Sequence, residues 1–306
     1  MAKPFIKWAG GKTQLLTQFE HILPYDLDEA DDFTYIEPFV GGGAMLFHML
    51  QKFPNMGRAI INDINPNLTT AYRVVKYTPE PLIEELRRFQ TEFRQLDGEE
   101  MKREYFLNIR TSYNMERHDD IVKTAMFIFL NRTCFNGLHR VNSRGYFNVP
   151  FGKYANPTIC DENLIMEDSR VLQNVEIFNG DYSQIEQFVD GNTFVYFDPP
   201  YRPLSATSSF TSYSREDFDD AEQIRLGQFF ARLSEYGCRM MLSNSDCSTH
   251  NPDDTFFEEL YRDFIIERVY ASRSVNANPS KRGKLAEILI RNYEYTVMHP
   301  IDNFGL

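Results

Sequence analysis

The sequence predicts a doubly wound, Rossmann-like α/β fold with an inserted, mainly helical region that carries a β-hairpin. Two patterns predict it: short β-rich runs that each lead into a Gly- or Asp-bearing turn, and between them a long stretch with apolar residues at helical spacing. The first strand, Phe33-Thr34-Tyr35-Ile36, runs into Glu37-Pro38-Phe39-Val40-Gly41-Gly42-Gly43, and the apolar run Ala44 to Leu50 reads as the helix beyond that turn. A second strand, Ala59-Ile60-Ile61-Asn62, ends at Asp63. From about Pro79 to Leu130 the recurrence of Leu82, Leu86, Phe89 and Phe93 predicts helices. Thr193-Phe194-Val195-Tyr196-Phe197 is a buried strand, Leu242-Ser243-Asn244-Ser245-Asp246 ends another, and Leu285 to Ile290 makes the last. The expected organisation is one domain built from residues 1–75 and 163–306, with a second domain inserted at 76–162.

With 306 residues and 42% apolar content, the chain can bury a core for one such domain and its insertion. No apolar run is long enough to cross a bilayer, and the N-terminus lacks the charged and apolar regions of a signal peptide. A cytoplasmic protein without a membrane partner is therefore expected. Cys134, Cys160, Cys238 and Cys247 show no metal-ligand spacing, so no metal site is expected and the thiols should stay reduced.

Glycines after a strand let the backbone approach a ligand closely, and here Gly41, Gly42 and Gly43 do so just before a helix. The spacing is not G-x-G-x-x-G, which argues against a nicotinamide dinucleotide. Gly11-Lys12-Thr13 is not a phosphate loop either, because Ile6 takes the first glycine position. Asp63 lies about twenty residues beyond the glycines, where an acid can accept both ribose hydroxyls. Its plainer alternative is a helix N-cap, but the order of strand, glycine turn, helix, strand and acid favours a nucleotide-like cofactor.

Asp198-Pro199-Pro200-Tyr201, which follows the Thr193 to Phe197 run, suits one chemistry: methylation of an exocyclic amine on a nucleobase. The lone pair of such an amine is delocalised into the ring. The Asp198 carboxylate and the Pro199 carbonyl can each accept one N–H, drawing the nitrogen toward tetrahedral geometry. Consecutive prolines remove backbone donors, and Tyr201 offers a flat face for stacking. A Pro-rich turn closing a buried strand is the plainer reading of the same residues. No cysteine is preceded by proline, as a cytosine-C5 nucleophile would be, and no zinc deaminase signature appears.

On these residues the chain resembles the DNA adenine-N6 methyltransferases of the alpha group, in which the cofactor motif precedes the target-recognition region and the DPPY motif. Within that family it is most similar to the GATC-modifying, Dam-like branch. The similarity runs from Lys7-Trp8-Ala9-Gly10-Gly11-Lys12 through EPFVGGGA and DPPY to Ser280-Lys281-Arg282-Gly283-Lys284. It implies S-adenosylmethionine as methyl donor, leaving S-adenosylhomocysteine. It places the donor against Trp8, Ala9, Gly10 and Lys12, against Glu37, Pro38, Phe39, Gly41 and Gly43, and against Asp63, Asp181, Tyr182 and Asp198. In relatives, the residue at Phe135 wedges into the base stack, that at Arg140 reads guanine, and those at Pro150 and Tyr154 join the contacts.

The segment around Phe135 supports such contacts. From Ile121 to Cys160 there is no Asp or Glu, but there are Lys123, Arg132, Arg140, Arg144 and Lys153. Asn136-Gly137 and Arg144-Gly145 are turn signals, so a hairpin or loop should present Leu138 to Asn142, with Arg132, Asn136, Arg144, Asn148 and Lys153 as further DNA contacts. The plainer reading of Phe135 is a core aromatic. A second basic run holds Arg268, Arg273, Lys281, Arg282, Lys284 and Arg291 against Glu287 alone. These runs answer the net charge of −12, which would otherwise repel a polyanion. Acids gather at Glu216, Asp217, Asp219, Asp220 and Glu222, where Ser214 can cap a helix.

The amine of a paired adenine is hydrogen-bonded inside the duplex, so the base must flip out of double-stranded DNA to react. The Ser/Thr-rich loop Pro203 to Tyr213 can hold the flanking phosphates or be an ordinary loop. The leading expectation is a monomeric GATC-directed adenine methyltransferase. An amino methyltransferase acting elsewhere, on cytosine N4 or RNA, is the alternative, with a non-catalytic DNA-binding relative behind it.

Overall fold

The computed structural model describes residues 1–12, 15–204, 218–249, 251–272 and 284–295. The elements in chain order are α1 (Leu16–Phe19), β1 (Phe33–Glu37), α2 (Ala44–Lys52), β2 (Met56–Asp63), α3 (Pro66–Tyr77), α4 (Pro79–Gln95), α5 (Gly98–Met115) and α6 (Asp120–Thr133). There follow α7 (Glu162–Leu172), β3 (Val175–Asn179), β4 (Thr193–Phe197), α8 (Asp220–Ser234), β5 (Arg239–Ser245), α9 (Phe256–Leu260), β6 (Ile265–Ser272) and β7 (Lys284–Arg291). The strands form a seven-stranded mixed sheet in the order β3-β2-β1-β4-β5-β7-β6, so the α/β class read from the sequence holds. β2 pairs in parallel with β3, as β4 does with β1 and β5, whereas β7 runs antiparallel to both β5 and β6.

By its internal contacts the chain divides into two compact units. The first comprises Met1–Lys12, Glu37–Pro54 and Arg58–Ile185, and the second Thr13–Ile36, Asn55–Gly57 and Glu186–Leu306.

In the first unit, α4, α5 and α6 occupy the stretch whose periodicity predicts helices. α6 is buried from Thr124 to Asn131, and its Phe129 ring packs at 5.5 Å on Phe89 and 5.8 Å on Phe93, two of the apolar positions read from the sequence. Its start is set by Asp119, which accepts from the Val122 N–H at 2.9 Å and satisfies an otherwise orphaned helix donor. The predicted hairpin takes the form of a loop closed by two isolated antiparallel bridges, Cys134 with Phe151 and Val141 with Phe147. Side chains supply much of its bonding instead of a ladder: Asn142 accepts from the Arg144 and Tyr146 N–H groups, and Asn114 exchanges bonds with the Phe147 backbone.

In the second unit, β4 is buried along its length and α8 begins at Asp220. Asp219 caps that helix by accepting from the Glu222 N–H at 3.0 Å. Ser214, Glu216 and Asp217 lie outside the described residues, as do Ser205 to Tyr213 of the Ser/Thr-rich loop and Arg273, Lys281 and Arg282. Among the described residues, no helix is long and apolar enough to cross a membrane.

The N-terminal segment has no regular structure of its own and is held by side chains of α6 and α7. The Lys3 N–H donates to the Asp168 carboxyl at 3.0 Å, and Arg132 donates to the Phe5 carbonyl at 2.6 Å. Asp168 is fully buried, and burial pushes its carboxyl from 3.8 up to about 8. Between those values the folded chain holds a proton that the unfolded chain has released, so stability falls as pH rises through this window. Asp168→Asn keeps an acceptor for Lys3 and removes the titration. It should flatten the loss of stability between about pH 4 and about pH 8 by up to about 1.4 kcal/mol per pH unit, read from urea midpoints across that range. An unchanged slope would show that Asp168 is ionised in the folded chain.

Candidate active site

The loop after β1 is shaped by two glycines in the left-handed region, Gly41 with φ +48° and Gly43 with φ +75°. A β-carbon on Gly43 would stand 2.4 Å from the Tyr72 hydroxyl, so this turn admits no side chain. Tyr72 itself donates to the Gly41 carbonyl at 3.1 Å. Burial, then the nearby Glu37 and Asp63 carboxylates, raises the Tyr72 hydroxyl well above its ordinary range, so it remains a donor.

Asp63 grips the same loop. One carboxylate oxygen accepts from the Gly41 N–H at 3.1 Å and the other from the Asn65 N–H at 2.9 Å. The N-cap of α3 is Asn65, so Asp63 does not serve as that helix's cap. Burial raises the Asp63 carboxyl, and the N–H bonds from Asn65 and Gly41 partly offset the rise.

Beside it the fully buried Asn62 donates to the Pro38 carbonyl at 3.1 Å and the Gly180 carbonyl at 3.0 Å, and accepts from Gln184 at 2.7 Å. Phe39 and Tyr182 meet ring to ring at 5.1 Å. The Asp181 carboxylate turns to Ser183, accepting from its N–H and its hydroxyl.

Trp8 lies against the same glycines. Its indole occupies the space that a β-carbon of Gly41 would enter, at 2.9 Å, and its own β-carbon that of Gly42, at 3.0 Å; the indole stacks on His139 with centroids 5.2 Å apart and planes at 19°. Asn131 of α6 secures this segment by accepting from the Lys7 N–H and donating to the Lys7 and Gly137 carbonyls, at 2.8 to 2.9 Å. Ala9 and Gly10 are exposed, whereas Lys12 is buried and donates to the Gly10 carbonyl at 2.7 Å. Burial holds His139 down at about 4, so the stacked ring is neutral near pH 7.

In the second unit, the DPPY turn follows β4 and is held by three neighbouring elements. From β5, the Ser243 hydroxyl donates to Asp198 at 3.0 Å, and Asn244 accepts from the Arg202 N–H at 3.1 Å. Gln223 of α8 donates to the Pro200 carbonyl at 2.9 Å and is braced by Asn244. From β7, Glu287 accepts from the Tyr201 hydroxyl at 2.6 Å. Burial, then the charges of Asp198 and Glu287, raises Tyr201 well above the ordinary phenol range, so it stays protonated as the donor in that bond.

The recognition candidates fall into distinct settings. Phe135 is 50% exposed and Leu138 38% exposed, so neither is the core residue that composition alone would favour. They flank Asn136 and Gly137, both at positive φ, in a tight turn closed by the Leu138 N–H on the Phe135 carbonyl. Arg140 donates to the Asn148 side chain at 2.6 Å and to its carbonyl at 3.1 Å, while Arg144 stands exposed at the next turn. Lys153 pairs with Glu99 at 2.7 Å, the Pro150 carbonyl accepts from the Phe135 N–H, and Lys7 sits over the Tyr154 ring at 5.3 Å. Arg132 instead turns inward to Phe5. Of the second basic run, Arg268 is paired with Asp246 and Glu258, and Arg291 with Glu267.

The side chains that hold these candidates went unread in the sequence: Asn62, Tyr72, Asn131, His139, Gln223, Ser243 and Glu287. Several had a signal. Glu287 is the lone acid of an apolar strand, and Asn62 and Asn131 are polar residues closing apolar runs that end buried.

A family model of the D12 class N6 adenine-specific DNA methyltransferases matches residues 8–275, spanning the glycine loop, the segment around Phe135 and Arg140, and the DPPY turn. The chain belongs to this family. Among relatives of this methyltransferase, the type II methyltransferase M.MjaIII of Methanocaldococcus jannaschii is 49% identical over 95% of this chain and 99% of its own length. The type II methyltransferase M1.LlaDCHI of Lactococcus lactis is 40% identical over 95% of each chain, and the DNA adenine methylase of Vibrio cholerae 32% identical over 94% of this chain and 95% of its own. The methyltransferase is thus an enzyme acting on adenine N6 in DNA. Burial pushes the thiols of Cys134, Cys160 and Cys238 up to about 11, which leaves them poor nucleophiles at neutral pH.

Replacing Asn62 with Leu would remove its bonds to the buried Pro38 carbonyl and the half-buried Gly180 carbonyl, and the one it accepts from Gln184. Each unsatisfied group costs about 1–3 kcal/mol, so Asn62→Leu should destabilise by about 2–4 kcal/mol, allowing for partial relaxation. Denaturant unfolding measures this; a midpoint equal to that of the parent would show that water takes over the bonds.

Proposed function

We propose that the chain transfers the methyl group of S-adenosylmethionine to N6 of an adenine flipped out of double-stranded DNA, with GATC as its target, and that it does so as a cytoplasmic monomer. The observation that carries this reading is the bonding of the DPPY turn. Ser243 holds Asp198 as an acceptor, and Gln223 occupies the Pro200 carbonyl, so Pro199 offers the second acceptor for the amine. Two acceptors on one amino group draw its lone pair out of conjugation. Asp198 and Pro199 are the catalytic groups; Pro200 and Tyr201 shape the turn around them.

The first unit suits a nucleoside-bearing donor. Gly41 and Gly43 open the backbone, Asp63 supplies a carboxylate for ribose hydroxyls, and Ile64, 71% exposed beside it, supplies an apolar face for a base. S-adenosylmethionine, when bound, supplies an electrophilic methyl group. Trp8, Lys12, Phe39 and the glycine loop hold it, with Asp181 and Tyr182 toward its adenine.

For the target, Phe135 is an exposed aromatic on a tight turn and acts as the wedge that stabilises an unstacked site. Arg140, oriented by Asn148, reads guanine through O6 and N7, and Leu138, Asn142, Arg144, Pro150, Lys153 and Tyr154 complete the DNA-facing surface.

Labelled methyl transfer to duplexes bearing GATC or single-base variants tests all of this together. N6-methyladenine confined to GATC is expected, and robust transfer to a variant would overturn the target assignment. Asp198→Ala should abolish transfer while DNA is still bound; undiminished methylation would overturn the role of that carboxylate. Arg140→Ala should relax discrimination at guanine by about 1–3 kcal/mol, whereas an equal loss on every sequence would make Arg140 a phosphate contact.

A further inference from the structure

We propose that Ser243 is a positioning residue for methyl transfer, orienting Asp198 under the direction of Tyr196. The inference rests on the assignment of Asp198 as an amine acceptor and adds a route by which the fold aims it.

The parallel register of β4 and β5 creates the arrangement. Tyr196 pairs with Met241 and Phe197 with Leu242, so the next residues along, Asp198 and Ser243, come side by side. Tyr196 and Asp198 are two positions apart and therefore lean toward one face. The Ser243 hydroxyl is fully buried, 3.0 Å from an Asp198 carboxylate oxygen and 3.0 Å from the Tyr196 hydroxyl.

Proton counting then gives the bonds a direction. An ionised carboxylate only accepts, so Ser243 must give its single hydroxyl hydrogen to Asp198. The contact with Tyr196 must then run the other way, from the phenol to the serine oxygen. The result is a one-way chain, Tyr196 to Ser243 to Asp198, in which each donor polarises the next.

The chain meets a specific need. The terminal torsion of an aspartate is broad, so the backbone alone does not decide where the carboxylate oxygens point. Capturing the amine requires those oxygens in a narrow range, and misplacing a reacting group by about 1 Å can slow a reaction roughly 100-fold. Ser243 supplies the restraint that the torsion lacks, and Tyr196 keeps the serine hydrogen from turning elsewhere.

The test is a double-mutant cycle in single-turnover methyl transfer, with the dissociation constants of S-adenosylmethionine and duplex measured alongside and Asp198→Ala as control. Ser243→Ala should slow transfer by roughly 10- to 100-fold while both dissociation constants stay within about twofold. Tyr196→Phe, which keeps the ring, should slow it by a smaller factor, and the double variant should be no slower than Ser243→Ala alone. Transfer at the parent rate in Ser243→Ala, a loss that appears only in binding, or a Tyr196→Phe factor that persists undiminished in the Ser243→Ala background would overturn the proposal. Should Ser243→Ala fail to fold, Tyr196→Phe decides: a slower step with unchanged binding supports the chain of donors, and an unchanged rate overturns it. Normal transfer by Asp198→Ala would instead overturn the underlying assignment, and the proposal with it.

Discussion

Asn62 donates to the Pro38 and Gly180 carbonyls and accepts from Gln184, so one fully buried carboxamide joins the loop after β1, the turn after β3 and the helical turn beyond it. The glycine-loop end of the first unit depends on that link. Its own backbone carbonyl receives the Val40 N–H, and the neighbouring Asp63 receives that of Gly41, so two consecutive residues at the end of β2 set the path of the glycine loop. An apolar residue would pack there but would leave carbonyls unsatisfied in a region where unpaired polar groups are expensive. What looks like a flexible Gly-rich loop is therefore a tightly determined one.

The DPPY turn in the second unit follows the same rule with different side chains. Two prolines remove backbone donors from the turn, and the missing bonds are replaced by side chains arriving from β5, α8 and β7. Glu287 illustrates the balance: a buried carboxylate in an apolar strand is tolerated because a phenol that cannot ionise near neutral pH donates to it. The segment from Phe135 to Asn148 is built in the opposite manner, with apolar Phe135 and Leu138 left partly in solvent and the guanidinium of Arg140 bonded to Asn148. Arg268 and Arg291 show why counting charges along a chain misleads: both are basic in sequence and spent on internal carboxylates in space.

Periodicity and motif order made the sheet, the helical stretch and the two signature loops legible, because those features are local. Leu82, Leu86, Phe89 and Phe93 sit one helical turn or so apart, and all four are buried in α4. The Asp63 and Asp198 motifs were legible for the same reason. The supporting residues were not, since Ser243 reaches Asp198 across 45 positions and Glu287 reaches Tyr201 across 86. No spacing rule operates over such distances; strand register creates those contacts.

The chain contains a single tryptophan. Trp8 is wedged between the Gly41–Gly42 backbone and the neutral ring of His139, one residue before Arg140. Under excitation selective for indole, the emission of this protein therefore arises from one known junction, touching the glycine loop on one side and the loop that carries His139 and Arg140 on the other. The molecule contains its own optical reporter, sensitive to any event that changes the polarity or stacking at that place, with no label to attach.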